Sequence, residues 1–176
     1  SELSIMKKTI LLLSLSGLSC SALAHDGTVN ITGTIQGNTC TVTTDTANQQ
    51  VTLGDIAAKQ FTAAGSASQP IAFTIGLENC GSAASAVSLT FTGEADTTNS
   101  ALLALTSQAG SAAGVGVAIL DSQRTLVPLN SASRQYTLDP QQTSQNLTFY
   151  GEMVATSSPV TAGSVDATTT FSLTYQ

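Results

Sequence analysis

Few residues in this sequence have the types and spacing that a catalytic, metal-binding or phosphate-binding site requires. His25 is the single histidine, and the closest pair of carboxylates, Glu94 and Asp96, falls in a turn-rich stretch. A carboxylate pair in a solvated turn rarely does acid–base work, and one histidine with scattered acids offers little to a metal. The glycine-rich stretch over residues 110–116 lacks the spacing and the lysine of a phosphate-binding loop, and no nucleophile elbow or zinc-protease motif is present. The sequence therefore predicts neither an enzyme nor a cofactor.

The composition narrows the class of protein further. Only 9% of the 176 residues are charged, against about 25% in an average soluble domain. Five basic residues against eleven acidic ones cannot form the positive surface that nucleic-acid binding needs. With 41% hydrophobic residues, the chain is also unlike a disordered segment. We therefore expect a folded protein with no nucleic-acid or nucleotide partner.

The first 24 residues, 1–24, combine a short upstream stretch with the pattern of a secretory signal. Two lysines precede an apolar run over residues 10–18, which is too short for a spanning helix of roughly 20 residues. The small residues at 22 and 24 predict cleavage between Ala24 and His25. The exported chain would then carry three basic residues against ten acidic ones.

Removal of the signal leaves two cysteines, Cys40 and Cys80. In an oxidising compartment their simplest outcome is one disulfide. Two free thiols or a metal pair are the alternatives, but the sequence has no Cys-x-x-Cys spacing. The chain-entropy model assigns a disulfide that closes a loop of about 40 residues roughly 4 kcal/mol of stability.

Alternating apolar and polar residues predict strands along most of the remaining chain. The alternating runs lie at 29–35, 71–77, 87–91, 115–119, 147–153 and 165–175. This period places one face of each strand in a core. Short helical turns are expected near residues 55–61 and 100–105, and no long helix is evident. Six or more strands in about 150 residues are typical of an immunoglobulin-like β-sandwich, so we predict an all-β fold.

The two terminal strands have unusual features. The strand over residues 28–38 precedes the first of the two cysteines and carries on one face the series Val29, Ile31, Gly33 and Ile35. A glycine within a strand usually marks the close approach of another group. The strand over 165–175 continues almost to the last residue, although strand ends usually fray. From the pattern alone, an ordinary first strand and an ordinary last strand remain alternatives.

Together these features resemble pilin subunits of the chaperone–usher pathway, in particular type 1 fimbrial subunits of Gram-negative bacteria. The resemblance covers the whole chain after the signal and is carried by Gly33 in its alternating strand, the pair Cys40 and Cys80, the stretches 51–54 and 102–105, and Gly163 with Tyr175. The length resembles a single pilin domain without a separate lectin domain.

The resemblance implies an incomplete immunoglobulin-like β-sandwich over residues 39–176, which lacks its last strand and is completed by a donor strand from another subunit. Residues 25–38 would form the donor extension. The donor side chains would be Val29, Ile31, Gly33 and Ile35. The acceptor groove and chaperone contact would comprise Gly163, Val165, Phe171, Leu173, Tyr175 and Gln176.

The implied function is that of a structural fimbrial subunit, which polymerises by donor-strand exchange and contributes to bacterial adhesion. Its implied partners are a periplasmic chaperone that grips the C-terminal carboxylate of Gln176, an outer-membrane usher, and other pilin subunits. The chain would pass through the periplasm to a fimbrium on the cell surface. The alternative is a secreted immunoglobulin-like module that binds a carbohydrate or receptor, which the aromatic content of 5% disfavours.

Overall fold

The computed structural model describes residues 27–33 and 40–176 of the chain. The described residues form the strands β1 (Gly27–Gly33), β2 (Thr41–Val42), β3 (Asn48–Gly54), β4 (Ile71–Glu78), β5 (Ala86–Gly93), β6 (Val115–Leu120), β7 (Tyr136–Thr137), β8 (Ser144–Ala155) and β9 (Asp166–Tyr175). The short helix α1 (Thr44–Ala47) precedes β3, and a single 3₁₀ turn (Ala58–Gln60) follows it. This content confirms the predicted all-β class. Across these described ranges, no helix is long and apolar enough to cross a membrane.

The strands pair into two sheets. One sheet has the order β3-β1-β9-β5-β7 and the other has the order β2-β4-β8-β6. Within the described chain, β1 runs parallel to β9, and the other strand pairs are antiparallel. Two facing sheets of this kind are the architecture predicted for an immunoglobulin-like sandwich.

Inward-facing side chains of both sheets form the core. Phe91 of β5 and Phe149 of β8 come from opposite sheets, and their rings meet edge to face with centroids 5.2 Å apart. Phe171 of β9 lies 6.2 Å from Phe91 and is also fully buried. Aromatic pairs in this geometry add attraction beyond the burial of their area. The three phenylalanines therefore pack between the two sheets beside the last strand.

Most of the predicted strands are confirmed. The runs predicted at 71–77, 87–91, 115–119 and 147–153 correspond to β4, β5, β6 and β8. The last strand begins at Asp166, one residue later than the predicted start at Val165. The elements β2, β3, β7 and α1 were not predicted as such, although Val51 and Leu53 of β3 do face the core.

The helical turn predicted near residues 100–105 is limited to one turn, in which Leu102 donates its N–H to the carbonyl of Asn99 at 3.0 Å, and no helix follows. Leu103 instead lies beside β6 and exchanges two backbone hydrogen bonds with Val117, of 2.8 and 3.0 Å. Because β6 is the outer strand of its sheet, its free edge offers these bonds in place of an internal helical ladder. The turn predicted near residues 55–61 is limited to the three residues Ala58–Gln60.

The predicted disulfide between Cys40 and Cys80 is present. It joins the residue before β2 to the region just after β4, where Thr41 already pairs with Glu78. The covalent bond and the strand pair therefore hold the same corner of the sandwich.

Tyr136 of β7 links the turn after β6 to strand β8 beside the core. Its hydroxyl donates to the carbonyl of Thr148 at 2.9 Å and accepts from the backbone N–H of Ser122 at 3.0 Å. Its ring packs 5.0 Å from that of Phe149. Burial raises the pKa of the Tyr136 hydroxyl above its ordinary value of 10.0, because the phenolate would be poorly solvated there.

Replacing both Cys40 and Cys80 by alanine should lower the free energy of unfolding by about 4 kcal/mol, because the unfolded chain gains the freedom of the opened loop. Urea unfolding of the oxidised protein, the reduced protein and the double variant measures this loss. The reduced protein should match the variant, and a loss under about 1 kcal/mol would contradict the prediction.

Replacing Tyr136 by phenylalanine should lower the free energy of unfolding at neutral pH by about 0.5–1.5 kcal/mol, because the partly buried carbonyl of Thr148 and the exposed N–H of Ser122 lose their partner. The raised pKa favours the neutral hydroxyl in the folded state, so the contribution is complete below the unfolded-state pKa. It is lost as the pH rises through the folded-state pKa. Denaturant unfolding at pH 7 and at increasingly alkaline pH checks both statements; a gap that widens with pH would count against them.

Candidate functional site: the strand slot between β3 and β9

The candidate functional site is the strand slot, which we define as the position between β3 and β9. In this structure the chain's own β1 occupies the strand slot. It pairs with β3 from Gly27 opposite Gly54 to Thr32 opposite Asn48. On its other side it pairs in parallel with β9 from Thr28 opposite Asp166 to Gly33 opposite Phe171. In the described chain, β3 joins the five-stranded sheet through β1 alone, so β1 completes this layer.

The side chains of β1 that face inward are Val29 and Ile31, as the alternation predicted. Both are buried to 2% exposure or less and belong to the main core cluster with Leu53, Ala167 and Phe171. Burial of one valine and one isoleucine stabilises the occupied slot by about 3–6 kcal/mol. The predicted fourth member, Ile35, lies outside the described residues, as do Ala24 and His25 at the predicted cleavage site.

Gly33 lies against the face of a buried ring. A Cβ atom built on Gly33 would overlap the ring of Phe171, and the farthest of the three nearest ring atoms would be only 2.6 Å away. Atoms that are not bonded cannot approach this closely without displacement. The close approach predicted for this glycine is therefore real, and the group that approaches it is Phe171.

Two cavities lie where β1 begins. Gly27 is close to Leu53, Met153 and Val165. A small cavity of about 30 Å³ is lined by Val165 and Gly163 together with Met153. A larger cleft of about 560 Å³ is lined by Leu53 and by residues of the loops after β3 and before β4. Both cavities thus share lining residues with the Gly27 end of the strand slot.

Gly163 is fixed by packing in the loop before β9. A Cβ atom there would lie 2.5 Å from the carbonyl oxygen of Gly110. The adjoining Ser164 donates its backbone N–H to that same oxygen at 2.8 Å. Gly163 therefore allows the loop before β9 to pack closely against the loop before β6.

The other end of β9 is tied to the start of β5. Leu173 is buried, and Tyr175 is partly buried opposite Val87. The carbonyl oxygen of Gln176 accepts hydrogen bonds from the backbone N–H and the hydroxyl of Ser85, both at 3.0 Å. The end of the last strand is therefore held by hydrogen bonds within the chain.

The carboxylate of Asp166 borders the strand slot, and no local sequence pattern indicates its role. Asp166, the first residue of β9, accepts a hydrogen bond from the hydroxyl of Thr28 at 2.5 Å. Its second carboxylate oxygen accepts from the side-chain amide of Gln108 at 2.9 Å. The possible sequence signal was polar side chains at the starts of two predicted strands, but nothing indicated that they meet across 138 residues.

Of the two carboxylates singled out in the sequence, Asp96 has a structural role. Asp96 accepts hydrogen bonds from the backbone N–H groups of Thr98 and Asn99, at 2.9 and 2.8 Å, as aspartates do in tight turns. Residues 27–33 and 40–176 contain no group of three or more histidines, cysteines, aspartates or glutamates arranged to hold a metal. Within the described residues, the feature that points to a function is therefore the pairing of β1 in the strand slot.

Comparisons with known proteins agree on the kind of protein that has this geometry. A family model described as fimbrial protein matches residues 29–176. The S-fimbrial protein subunit SfaG of Escherichia coli O6:K15:H31 (strain 536 / UPEC) is 40% identical over 159 residues, which cover 90% of this chain and 89% of that protein. The fimbrial-like protein YcbV of Escherichia coli (strain K12), itself uncharacterized, is 39% identical over 173 residues, which cover 97% of this chain and 99% of that protein.

A solved structure of a chaperone–usher pilus, which concerns the molecular basis of rod uncoiling, has a similar fold. It superposes with a TM-score of 0.63 at 25% sequence identity. The match covers 81% of this chain and 93% of that chain. The likeness therefore extends over nearly the whole of the other subunit.

Replacing Gly33 by alanine should lower the free energy of unfolding by about 1–3 kcal/mol, because the added methyl group must displace the buried ring of Phe171. Adding Phe171→Leu should recover part of this loss, since the smaller side chain leaves room for the methyl group. Urea unfolding of the single and double variants measures both effects. Asn30→Ala, on the outward face of the same strand, is the matched control, and equal losses for Gly33→Ala and this control would refute the contact.

Proposed function

Because this chain belongs to the fimbrial protein family and is a structural subunit of a pilus that takes part in adhesion, we propose that it joins its neighbours by donor-strand exchange. In this mechanism the segment 25–38 of one subunit enters the strand slot of the next. The side chains Val29, Ile31 and Ile35 fill the apolar groove, and Gly33 fits against the wall of the groove. The subunit is then completed by a strand that belongs to a neighbour.

The observation that carries the proposal is the dependence of the five-stranded sheet on β1. Within the described residues, β3 has no other strand partner in its sheet, and β9 has β5 on its other side. Vacating the strand slot would leave two unpaired backbone edges above Leu53 and Phe171 of the core. Such an edge readily accepts a strand from another chain. The same series of side chains can fill the slot from within or from a neighbour.

The empty slot also motivates the proposed partners. An exposed apolar groove with unpaired edges promotes aggregation, so we propose that a periplasmic chaperone lends a strand to the slot and holds the carboxylate of Gln176. An outer-membrane usher would then exchange the chaperone strand for that of the next subunit. The similar chaperone–usher pilus structure supports this route. Fimbrial family membership supports a place in a cell-surface fimbrium. The chain would reach it through the periplasm, after the signal is cleaved between Ala24 and His25.

A pair of engineered chains tests the exchange directly. The acceptor is residues 39–176, kept in mild denaturant. The donor is the chain from His25 with a second copy of residues 28–38 joined after Gln176 by a flexible linker, so that its own slot is filled and its N-terminal strand is free. On dilution together, the two should form a 1:1 heterodimer, measured by size-exclusion chromatography with light scattering.

The matched control places Ile31→Asp in the N-terminal strand of the donor alone. An unpaired carboxylate in the groove is strongly disfavoured, so the heterodimer should weaken by at least about 100-fold. The acceptor alone should aggregate on dilution. A well-folded monomeric acceptor, or a heterodimer indifferent to Ile31→Asp, would refute donor-strand exchange.

A further inference from the structure

The start of β1 is held by a cluster of three polar side chains. The Thr28 hydroxyl donates to Oδ1 of Asp166 at 2.5 Å, and the Gln108 amide donates to Oδ2 at 2.9 Å. Both oxygens of the carboxylate are therefore engaged. A hydrogen bond to an ionised group is about twice as strong as one between neutral groups.

Asp166 is held in place from the side opposite β1. Its carbonyl oxygen accepts from the backbone N–H of Thr106 at 2.6 Å. The hydroxyl of Ser111 accepts from the backbone N–H of Gln108 and donates to the carbonyl of Thr106, both at 3.0 Å. The loop that carries Gln108 is thereby fixed, so the carboxylate presents a positioned acceptor to Thr28.

No comparable side-chain bond holds the rest of β1 within the described ranges. The other side-chain hydrogen bond from this strand runs from Thr32 to the carbonyl of Thr169 at 3.4 Å, which is long for a hydroxyl donor. The remaining attachments are the backbone ladders and the buried Val29 and Ile31. The bond to Asp166 is therefore the strongest directional side-chain contact of the strand.

The position of this contact matters for release of the strand. β1 is joined to the rest of the domain through its Gly33 end, by the segment that leads to Cys40. Peeling of a strand that is tethered at one end starts at the other end. The Thr28 end is the one that must open first, and it is the end that Asp166 holds.

We propose that Thr28, Asp166 and Gln108 form a latch that keeps the chain's own strand in the strand slot and slows its replacement by a strand from another subunit. This inference rests on the proposed function, since it concerns the competition between the two strands. The latch is a kinetic control on polymerisation: any incoming strand must wait for the bond between Thr28 and Asp166 to open. A subunit with a broken latch exchanges its strand faster.

The test uses the full exported chain as a monomer and a fluorescent synthetic peptide of residues 28–38 with the natural sequence. The variants are Thr28→Val, which keeps the side-chain shape, Asp166→Ala, and the two together. Each single variant should take up the peptide about tenfold faster than the natural chain, as expected for loss of a hydrogen bond to a charged group. The double variant should be no faster than Asp166→Ala, because both changes remove the same bond.

Thr174→Ala is the matched control. Thr174 lies on the outward side of β9, beyond the residues that pair with β1, so this variant should take up the peptide at the natural rate. Natural rates in Thr28→Val and Asp166→Ala, or additive accelerations in the double variant, would overturn the latch while leaving donor-strand exchange intact.

Failure of the proposed function gives a different result. If no chain takes up the peptide, even after unfolding and refolding in its presence, donor-strand exchange itself is refuted. The latch contact is then judged by urea unfolding of the same four monomers. Losses that are less than additive for Thr28→Val and Asp166→Ala would uphold the contact, and fully additive losses would refute it.

Discussion

The backbone edge of β9 that faces β3 is the constraint on which the rest of the structure depends. β9 lies in the middle of its sheet and carries Ala167, Phe171 and Leu173 into the core. Its N–H and C=O groups need partners on both sides, because an unpaired buried backbone group is costly. β5 supplies one side, and the strand slot supplies the other. Whichever strand fills that slot also attaches β3, so one segment decides whether the layer is closed.

The unusual composition follows from the same architecture. After Asp166, the outward positions of β9 are occupied by threonine and serine. The hydroxyls of Thr170 and of Thr92 on the neighbouring β5 lie 2.7 Å apart. Threonine suits such positions because its branched Cβ packs well on a pleated surface while its hydroxyl stays hydrated. A sheet face of this kind needs few charges to remain soluble. The scarcity of lysine and arginine and the abundance of strand therefore have a common cause.

The sequence predicted those parts of the fold in which burial alone sets the pattern. The strands β4, β5 and β8 bury mainly alternate residues, so their periodicity is visible in the sequence. All six residues of β6 are buried, and its alternation is one of larger Val115, Val117 and Ile119 with small Gly116 and Ala118. The two-residue strands β2 and β7 are too short for any period to register. The pairing of Leu103 with β6 depends on a free edge supplied by a distant part of the chain, which no local pattern reports.

In the candidate site, too, local features could be predicted from the sequence and long-range contacts could not. Val29, Ile31 and Gly33 were identified because alternation and a mid-strand glycine are local signals. Their direction in the slot was not predictable, since an alternating series is the same read from either end. The contact of Thr28 with Asp166 was missed because it joins residues 138 positions apart. Direction and long-range polar pairing are both properties of the assembled sheet.

Under the proposed donor-strand exchange, the place where segment 25–38 joins the domain determines how a fibre of such subunits carries tension. A pull on β1 passes along the chain to Cys40, whose sulfur is bonded to that of Cys80 beyond the end of β4. The load therefore reaches the four-stranded sheet through a covalent bond at this corner, in addition to the two-residue pairing of β2 with β4. Without the disulfide, only hydrogen bonds would link this corner to β4: the short β2 pairing and the bonds of Thr43 and Thr46 to Gly76. Under the same proposal, the cross-link adds a covalent path for this load at the point where the exchanged segment meets the domain.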